Sequence, residues 1–557
     1  MTPRRDARFK QGVRETGSSP LARLARLVVS GFRDGRGGPL WLMGLATGVL
    51  AGYAVIGLRM AIAYIEHTAF GASEERLATV ARGMEDWRLF LIPVVAGIIV
   101  AALLWIGEKT GLARGTRAQG VADLIQARAV ENAKLPLGAG LYSALIAAVS
   151  LGGGGSAGRE GPAVHLGGVV ASSVARSIGL DVRAARILLA CGAAAAVAAS
   201  FNAPVAGALF AFEVVLGHYA LRSIAPVAVA SVTGALIASS AFPDEPAFSM
   251  PQIAPASIWD FPAAALLGIA AAGLAVIFVR SALILPAWAE RRAKAASIPL
   301  WSLPVAGGIG LGAMGLVAPE ILGVGYEATS TALEGGYTLP FLILLLVMKI
   351  IATATTLASR FGGGVFSPSL YLGAVLGAAF GVGAGAVLGD QTAGTGFFAM
   401  IGMGAVAGAV LGAPLSTTLI VFELTASYET AVAVLVAVSL ATTLSQSAIG
   451  GSFFQKQIER RGYDLTGGSA KIILQTVRVR DFMSRIEGWE MEHEPDVFFY
   501  EDNTLGRVLA RLEAEQLEGA AVKSRASGGD IIGWVSKADA QAAHARALAE
   551  AHEEEHR

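Results

Sequence analysis

Arg159 and Glu160 stand side by side in GREGP (158–162), in a stretch where the next arginine is Arg176 and the preceding LIAAVSLGGGGSA carries no charge. Glycines let the backbone turn, and a proline suits the first turn of a helix. GREGP therefore reads as a helix N-terminus. Such an end presents N–H groups with no intrahelical partner and the positive end of the macrodipole, which together attract anions. Several amides sharing one halide-sized ion hold it weakly enough for it to leave again, as conduction requires. A carboxylate at the same place can occupy the anion's position and be displaced by protonation or by a competing ion. Burial acts on the proton affinity of Glu160 in one direction, the amides and Arg159 in the other, so the sequence leaves its sign open. The plainer alternative is an Arg–Glu pair stabilising a loop at a surface. An ionisable group inside a membrane, however, is by default a functional-site hypothesis.

The surroundings are those of a membrane. The 557 residues are 54% hydrophobic and 15% charged, with 69 glycines, which excludes an ordinary soluble protein of this size. LFLIPVVAGIIVAALLWI (89–106) and PAAALLGIAAAGLAVIFV (262–279) are long enough to cross a bilayer, and Thr395 to Phe422 carries no charge. Other apolar runs are short or broken by Gly and Pro, such as VFSPSLYLGAVLGAAF (365–380), and suit helices that stop part-way through the bilayer. The fold class expected is an all-α polytopic membrane protein, close-packed through Gly and Ala.

The chain also repeats itself. CGAAAAVAASFNAPVAGALFAFEVV (191–215) aligns with IGMGAVAGAVLGAPLSTTLIVFELT (401–425) at an offset of 210, pairing Ala203–Pro204 with Ala413–Pro414 and Glu213 with Glu423. GPAVHLG (161–167) aligns with SPSLYLG (367–373) at an offset of 206, pairing Pro162 with Pro368 and Gly167 with Gly373. Inverted repeats with broken helices meeting near mid-membrane build the sites of many transporters, so GREGP and GVFSP are expected to flank one site. Glu213 and Glu423 are assigned structural roles at helix ends, and Cys191 the packing of a small apolar residue.

GREGP (158–162), GGVFSP (363–368), FNAPVAGALFAFE (201–213) and GMGAVAGAVLGAPL (402–415) resemble, in order, the signature segments of the CLC chloride channel and chloride–proton antiporter family. The resemblance covers about residues 40 to 462. It implies about eighteen helices in an inverted repeat, a homodimer and one anion pathway in each subunit. By the same resemblance Glu160 is the gate. Arg159, Glu160, Gly161, Val365, Phe366 and Ser367 then lie at the anion sites, mostly through backbone amides.

Three positions depart from the family pattern. Its first anion motif stands here as AQGVA (118–122), with Gln119 where a serine hydroxyl normally meets the ion; the glutamine NH2 can still donate. The pore tyrosine falls in SFFQKQIERRG (452–462) at Phe454, or one residue earlier at Phe453, which removes a hydroxyl. Proton-coupled members carry a glutamate after the position of Glu213, and here that residue is Val214. A valine cannot relay protons, so the reading leans towards a passive gated chloride conductor. Chloride–proton exchange and a fluoride- or nitrate-preferring member are the alternatives; Pro162 argues against fluoride. His165, one turn beyond Glu160, is read as a packing residue, and His218 receives no role.

Other classes fit less well. A cation or organic-substrate carrier calls for mid-membrane carboxylates or broad polar cavities. No metal-spaced cluster marks an enzyme, and Ser156 lacks the G-x-S-x-G context. No enzymatic activity, metal or cofactor is expected, only chloride bound in the pathway.

The chain divides into a cytoplasmic N-terminal segment (1–38), a transport domain (39–462) and a charged tail (463–557). The first 38 residues hold nine Lys/Arg against three Asp/Glu and lack a signal-peptide pattern, which puts this end in the cytoplasm by the positive-inside tendency. LARLARLVVSGF (21–32) fits an interfacial amphipathic helix or an ordinary first helix. In the tail, VRDFM (479–483), TLGRVLARLEAEQ (504–516) and IIGWVSKAD (531–539) resemble one cystathionine-beta-synthase-type (CBS) repeat. These modules pair, so a single copy implies pairing across the dimer; Asp539 matches a ribose-contacting position, but an adenine nucleotide is the less favoured use. With net charge zero, no nucleic-acid partner is expected. The partners are small anions, the bilayer and a second copy, in a bacterial inner membrane.

Overall fold

The structure, a computed structural model, describes residues 40–72, 76–113, 117–242, 248, 257–389, 392–465, 468–485, 497–525 and 530–556. The 1–38 segment and its 21–32 helix lie outside the described residues. Between Leu40 and Glu459 the described residues form eighteen α-helices, and nine helical spans are long and apolar enough to cross a membrane. Many of their large apolar side chains point outward, Leu236 at 65% and Tyr64 at 74% exposed, as expected where the solvent is lipid.

Two sets of six helices follow the same order. The first comprises α1 (Val121–Val130), α2 (Leu137–Gly152), α3 (Glu160–Ile178), α4 (Val182–Phe201), α5 (Pro204–Phe210) and α6 (Leu221–Ala241). The second comprises α7 (Tyr326–Leu333), α8 (Leu339–Ala358), α9 (Phe366–Leu388), α10 (Thr395–Leu411), α11 (Pro414–Thr425) and α12 (Tyr428–Ile449). A short helix, α13 (Phe453–Glu459), ends the membrane part.

The local reasons recur in both sets. Asn202 (φ 53°) and Gly412 (φ 71°) end α4 and α10 in the left-handed region that Asn and Gly tolerate best. Ala203–Pro204 and Ala413–Pro414 then start α5 and α11 with proline in the first turn. The α3–α4 crossing is closed by glycine: a Cβ on Gly167 would lie 2.3 Å from the Gly192 carbonyl oxygen, and one on Gly192 would lie 2.2 Å from that of Gly167. The α9–α10 crossing repeats it at Gly373 and Gly402, at 2.2 and 2.3 Å. Such backbone contact is how helices associate where lipid removes the hydrophobic drive. The matched prolines, turns and crossings are those of the inverted repeat read from the sequence.

The tail builds a second apolar core around Val479, Phe499, Leu505, Val508, Leu512, Val522 and Val535. Its four strands, β1 (Ser484–Arg485), β2 (Phe498–Tyr500), β3 (Gly519–Lys523) and β4 (Ile531–Ser536), form one sheet in the order β1-β4-β3-β2, with β2 and β3 parallel. α14 (Gly468–Thr476), α15 (Leu505–Ala514) and α16 (Lys537–His556) pack with it. Asp539 accepts the Ser536 hydroxyl at 2.7 Å while its own N–H donates back to that oxygen at 3.0 Å, a helix-start arrangement.

Candidate functional site

The N-termini of α3 and α9 meet head to head. Gly158 N–H donates to Gly364 carbonyl at 2.7 Å and Gly364 N–H donates back at 2.8 Å, a two-bond antiparallel bridge between the two halves. Glycine suits this close approach: a Cβ on Gly161 would stand 3.1 Å from Gly364 Cα, and one on Gly364 would stand 3.2 Å from Gly161 Cα. Both helices open on hydrogen-bond donors with no carbonyl a turn earlier to accept them.

Glu160 is the first residue of α3 and is fully buried (0% exposed). Its carboxylate turns towards the partner half. Ser367 Oγ, in the first turn of α9, donates to Oε2. Tyr326 Oη, the first residue of α7, donates to Oε1 at 2.8 Å. A Cβ placed on Gly158 would fall 2.7 Å from Glu160 Oε2 and 2.8 Å from the Ser367 nitrogen, so the carboxylate oxygen and that amide border one small space.

Beside this junction, on the side that carries the tail, is a cavity of about 500 Å³. Gln119, Gly161, Val365, Phe366, Phe453 and Phe454 line it, with Arg117, Asp123, Glu290, Arg360 and Arg460 around its mouth. Phe453 and Phe454 meet edge to face at 5.7 Å, so both candidates for the missing tyrosine face the cavity. The Phe366 ring packs on Phe201 at 5.1 Å and on Phe210 at 5.8 Å, tying the start of α9 to α4 and α5.

Gln119 is 7% exposed, and its backbone N–H is taken by Ser143 Oγ at 2.6 Å. The next amide, Gly120, donates to Asp123 Oδ2 at 2.8 Å. Among the described residues Gln119 Oε1 accepts no hydrogen bond, so the side chain rather than the backbone is what this segment offers to the cavity. Asp123 also holds Arg117 and, at 3.1 Å, Arg461. Burial pushes the Asp123 carboxyl up, but the two guanidinium groups outweigh that and hold it well below the usual carboxylate range.

Arg159 turns away from the cavity: its guanidinium lies 4.6 Å over the Tyr326 ring and borders a separate small pocket near Arg59 and Phe242. Val214 is half-buried in a π-helical turn (Ala211–Leu216) after α5, away from the cavity lining. Glu213, in the same turn, accepts the N–H groups of Leu415 and Ser416 at the start of α11, which gives it the helix-end role read from the sequence. His165 is buried within α3. Among the described residues no group of His, Cys, Asp and Glu could hold a metal ion.

Two residues near Glu160 escape the sequence reading. Tyr326 is one. The other is Lys349, fully buried on α8, whose ammonium donates to the carbonyls of Ile321 (3.0 Å), Gly323 (3.3 Å) and Val324 (3.5 Å) and lies 4.8 Å over the Tyr371 ring. It fixes the loop that delivers Tyr326. Lys349 interrupts the apolar run LPFLILLLVMKIIATA, the same mark that draws attention to Glu160.

Fold and site together define a polytopic membrane protein of two inverted halves, whose helices α3 and α9 begin at one buried carboxylate; α9, expected from the sequence to stop part-way, is long and apolar enough to cross. The chain belongs to the CLC family: residues 96–446 match the family described as Voltage gated chloride channel. It is 31% identical over 386 residues to the Putative chloride channel protein ClcB-like of Ralstonia nicotianae, covering 69% of this chain and 88% of that protein. Its fold resembles a slow cyanobacterial Cl−/H+ antiporter (TM-score 0.66, 21% identity, 76% of this chain and 98% of that one). It also resembles a CLC-type fluoride/proton antiporter (TM-score 0.62, 22% identity, 74% and 96%). At those identities the likeness to the two structures shows the fold. The family's members are channels or transporters of chloride and related anions.

Proposed function

We propose that this protein conducts chloride, or a similar small monovalent anion, across the membrane along a pathway gated by Glu160. It does so as a homodimer with one pathway per subunit, in a bacterial inner membrane with both termini cytoplasmic. The observation that carries the reading is the buried Glu160 carboxylate of the first half, held between the N-termini of two opposed helices by two hydroxyls of the second half. Amide-rich helix ends suit an anion better than a cation, and a carboxylate drawn into them is a blocking ion tethered to the protein. Gly161, Val365, Phe366 and Ser367 supply the amides that take over when the side chain swings out, with Gln119 and Phe454 lining the route to the cytoplasm. Arg159 adds positive potential from behind the Tyr326 ring. The tail (463–557) acts through contacts with the transport domain: α16 brings Glu553 to 3.5 Å from Arg183 at the start of α4. With the Asp539 carboxylate taken up by Ser536, a nucleotide is not favoured there.

Conduction is passive in this reading, because Val214 leaves the proton path without its internal acid. Proton-coupled exchange is the second reading, favoured by the antiporters among the structural neighbours. The test is chloride efflux and external pH recorded together from proteoliposomes, with and without valinomycin and a proton ionophore. Uphill proton movement driven by a chloride gradient would establish exchange and overturn the passive reading. Valinomycin-dependent efflux with no linked proton movement is the expected result. Glu160→Gln is expected to abolish the pH response of that efflux.

A further inference from the structure

Glu160 is held by two hydroxyls of different origin. Ser367 belongs to the anion-site segment of α9 itself. Tyr326 comes from α7, which lies outside the signature segments, and reaches Oε1 at 2.8 Å across 166 residues of sequence. Its placement is heavily constrained. Gly325 before it has φ 90°, and a Cβ there would stand 2.9 Å from the Tyr371 ring and 3.1 Å from Lys349 Nζ. The Tyr326 ring sits between the Arg159 guanidinium at 4.6 Å and the Phe248 ring at 4.9 Å. Lys349 pins the preceding carbonyls from below. So rigid a mount for one hydroxyl is more than packing of a phenyl ring needs.

We propose that Tyr326 is a positioning residue, a latch whose hydroxyl holds the charged Glu160 side chain in the blocking position and thereby sets the pH at which the gate releases. The proposal rests on Glu160 being the gate. The side chain leaves the blocking position only after its bond to Tyr326 breaks, so the latch opposes release of the gate. The other charged groups packed around this corner are Arg159 on the gate's own loop, Lys349 on α8, and Glu66, Glu320 and Glu327 around the pocket beside Gly325. Each stays in place when the hydroxyl alone is removed.

The experiment is Tyr326→Phe in the full chain, reconstituted in liposomes, with chloride efflux measured from pH 4.5 to 8. Phenylalanine keeps the ring between Arg159 and Phe248. The expected result is an activation midpoint about one pH unit higher, the order expected for one lost hydrogen bond to a charged group, with efflux at pH 7.5 raised several-fold. Replacing Tyr326 with 3-fluorotyrosine, whose more acidic hydroxyl is a stronger donor, should move the midpoint the other way. In a Glu160→Gln background neither substitution should change efflux. An unchanged midpoint in both variants overturns the latch while leaving the gate intact. A Tyr326→Phe effect that persists without the carboxylate overturns it too, since the hydroxyl would then act on the ion directly. If Glu160→Gln itself kept the parental pH response, the gate reading would fall and the latch with it.

Discussion

Glu213 and Glu423, one in each half, cap each other's half-helix. Glu213 follows α5 and accepts from Leu415 and Ser416 at 2.9 and 2.8 Å, at the start of α11; Glu423, near the end of α11, accepts from Val205 and Ala206 at 2.9 and 2.8 Å, at the start of α5. The exchange satisfies four N–H groups that have no partner within their own helix.

That exchange makes Glu213 a structural acid. Glu213→Leu is expected to cost about 1–2 kcal/mol of stability, the range for loss of a helix cap, visible as a lower melting temperature in detergent. The ratio of protons to chloride moved should stay that of the parent. A changed ratio at parental stability would make Glu213 part of a proton path.

The glycine crossings set a second expectation. Gly167→Ala and Gly373→Ala each drive a methyl to within about 2.3 Å of a facing carbonyl oxygen, so overpacking should cost about 1–3 kcal/mol each. Gly57→Ala, where nothing lies within 4 Å, is the control and should melt at or above the parental temperature.

The acid at the cavity mouth gives a pH prediction of definite sign. The folded value of Asp123 is depressed, so its contribution is fully present above the unfolded value of about 3.9 and is lost only as pH falls through the folded one. Between pH 4.5 and 8 the network with Arg117 and Arg461 is therefore constant. Asp123→Asn should lower stability across that range, by about 3 kcal/mol for removing one partner of a largely buried ion network, and leave the midpoint of the pH–efflux curve where it was. A moved midpoint would implicate Asp123 in gating.

Much of this site is legible before any coordinates. GREGP and GVFSP can be paired because glycine, proline and glutamate recur at fixed offsets, and those residue types mark backbone events, turns and helix starts, which the fold then obeys. Tyr326 is not legible that way. Its hydroxyl matters only because the inverted halves bring α7 beside α3, and nothing local distinguishes VGYEA from any helix start. Gln119 shows the opposite failure. Its donor chemistry is plain from its type, but that Ser143 occupies its backbone amide depends on how α2 packs behind it.

Phe454 offers a gain-of-contact test. Phe454→Tyr should return a hydroxyl to the cavity and tighten chloride binding about five-fold, the worth of roughly one hydrogen bond, measured by isothermal titration. If Phe453→Tyr tightens binding instead, the position of the missing tyrosine is one residue earlier.

The Lys349 clamp can be tested through the loop it holds. Lys349→Met leaves three carbonyls without their shared donor and is expected to cost about 2–3 kcal/mol. If Lys349 serves Tyr326 through that loop, the same variant should also raise the pH midpoint of efflux, as Tyr326→Phe does.

The two hydrogen bonds between Gly158 and Gly364 have a consequence for biogenesis. They join residues 206 positions apart, so neither half contains the junction around Glu160 by itself. While the chain is being made, Glu160 enters the membrane long before Ser367 or Tyr326 has left the ribosome. A first half made alone would lack both hydroxyl donors to the Glu160 carboxylate. Truncation anywhere before α9 should therefore yield an inserted protein that binds no anion.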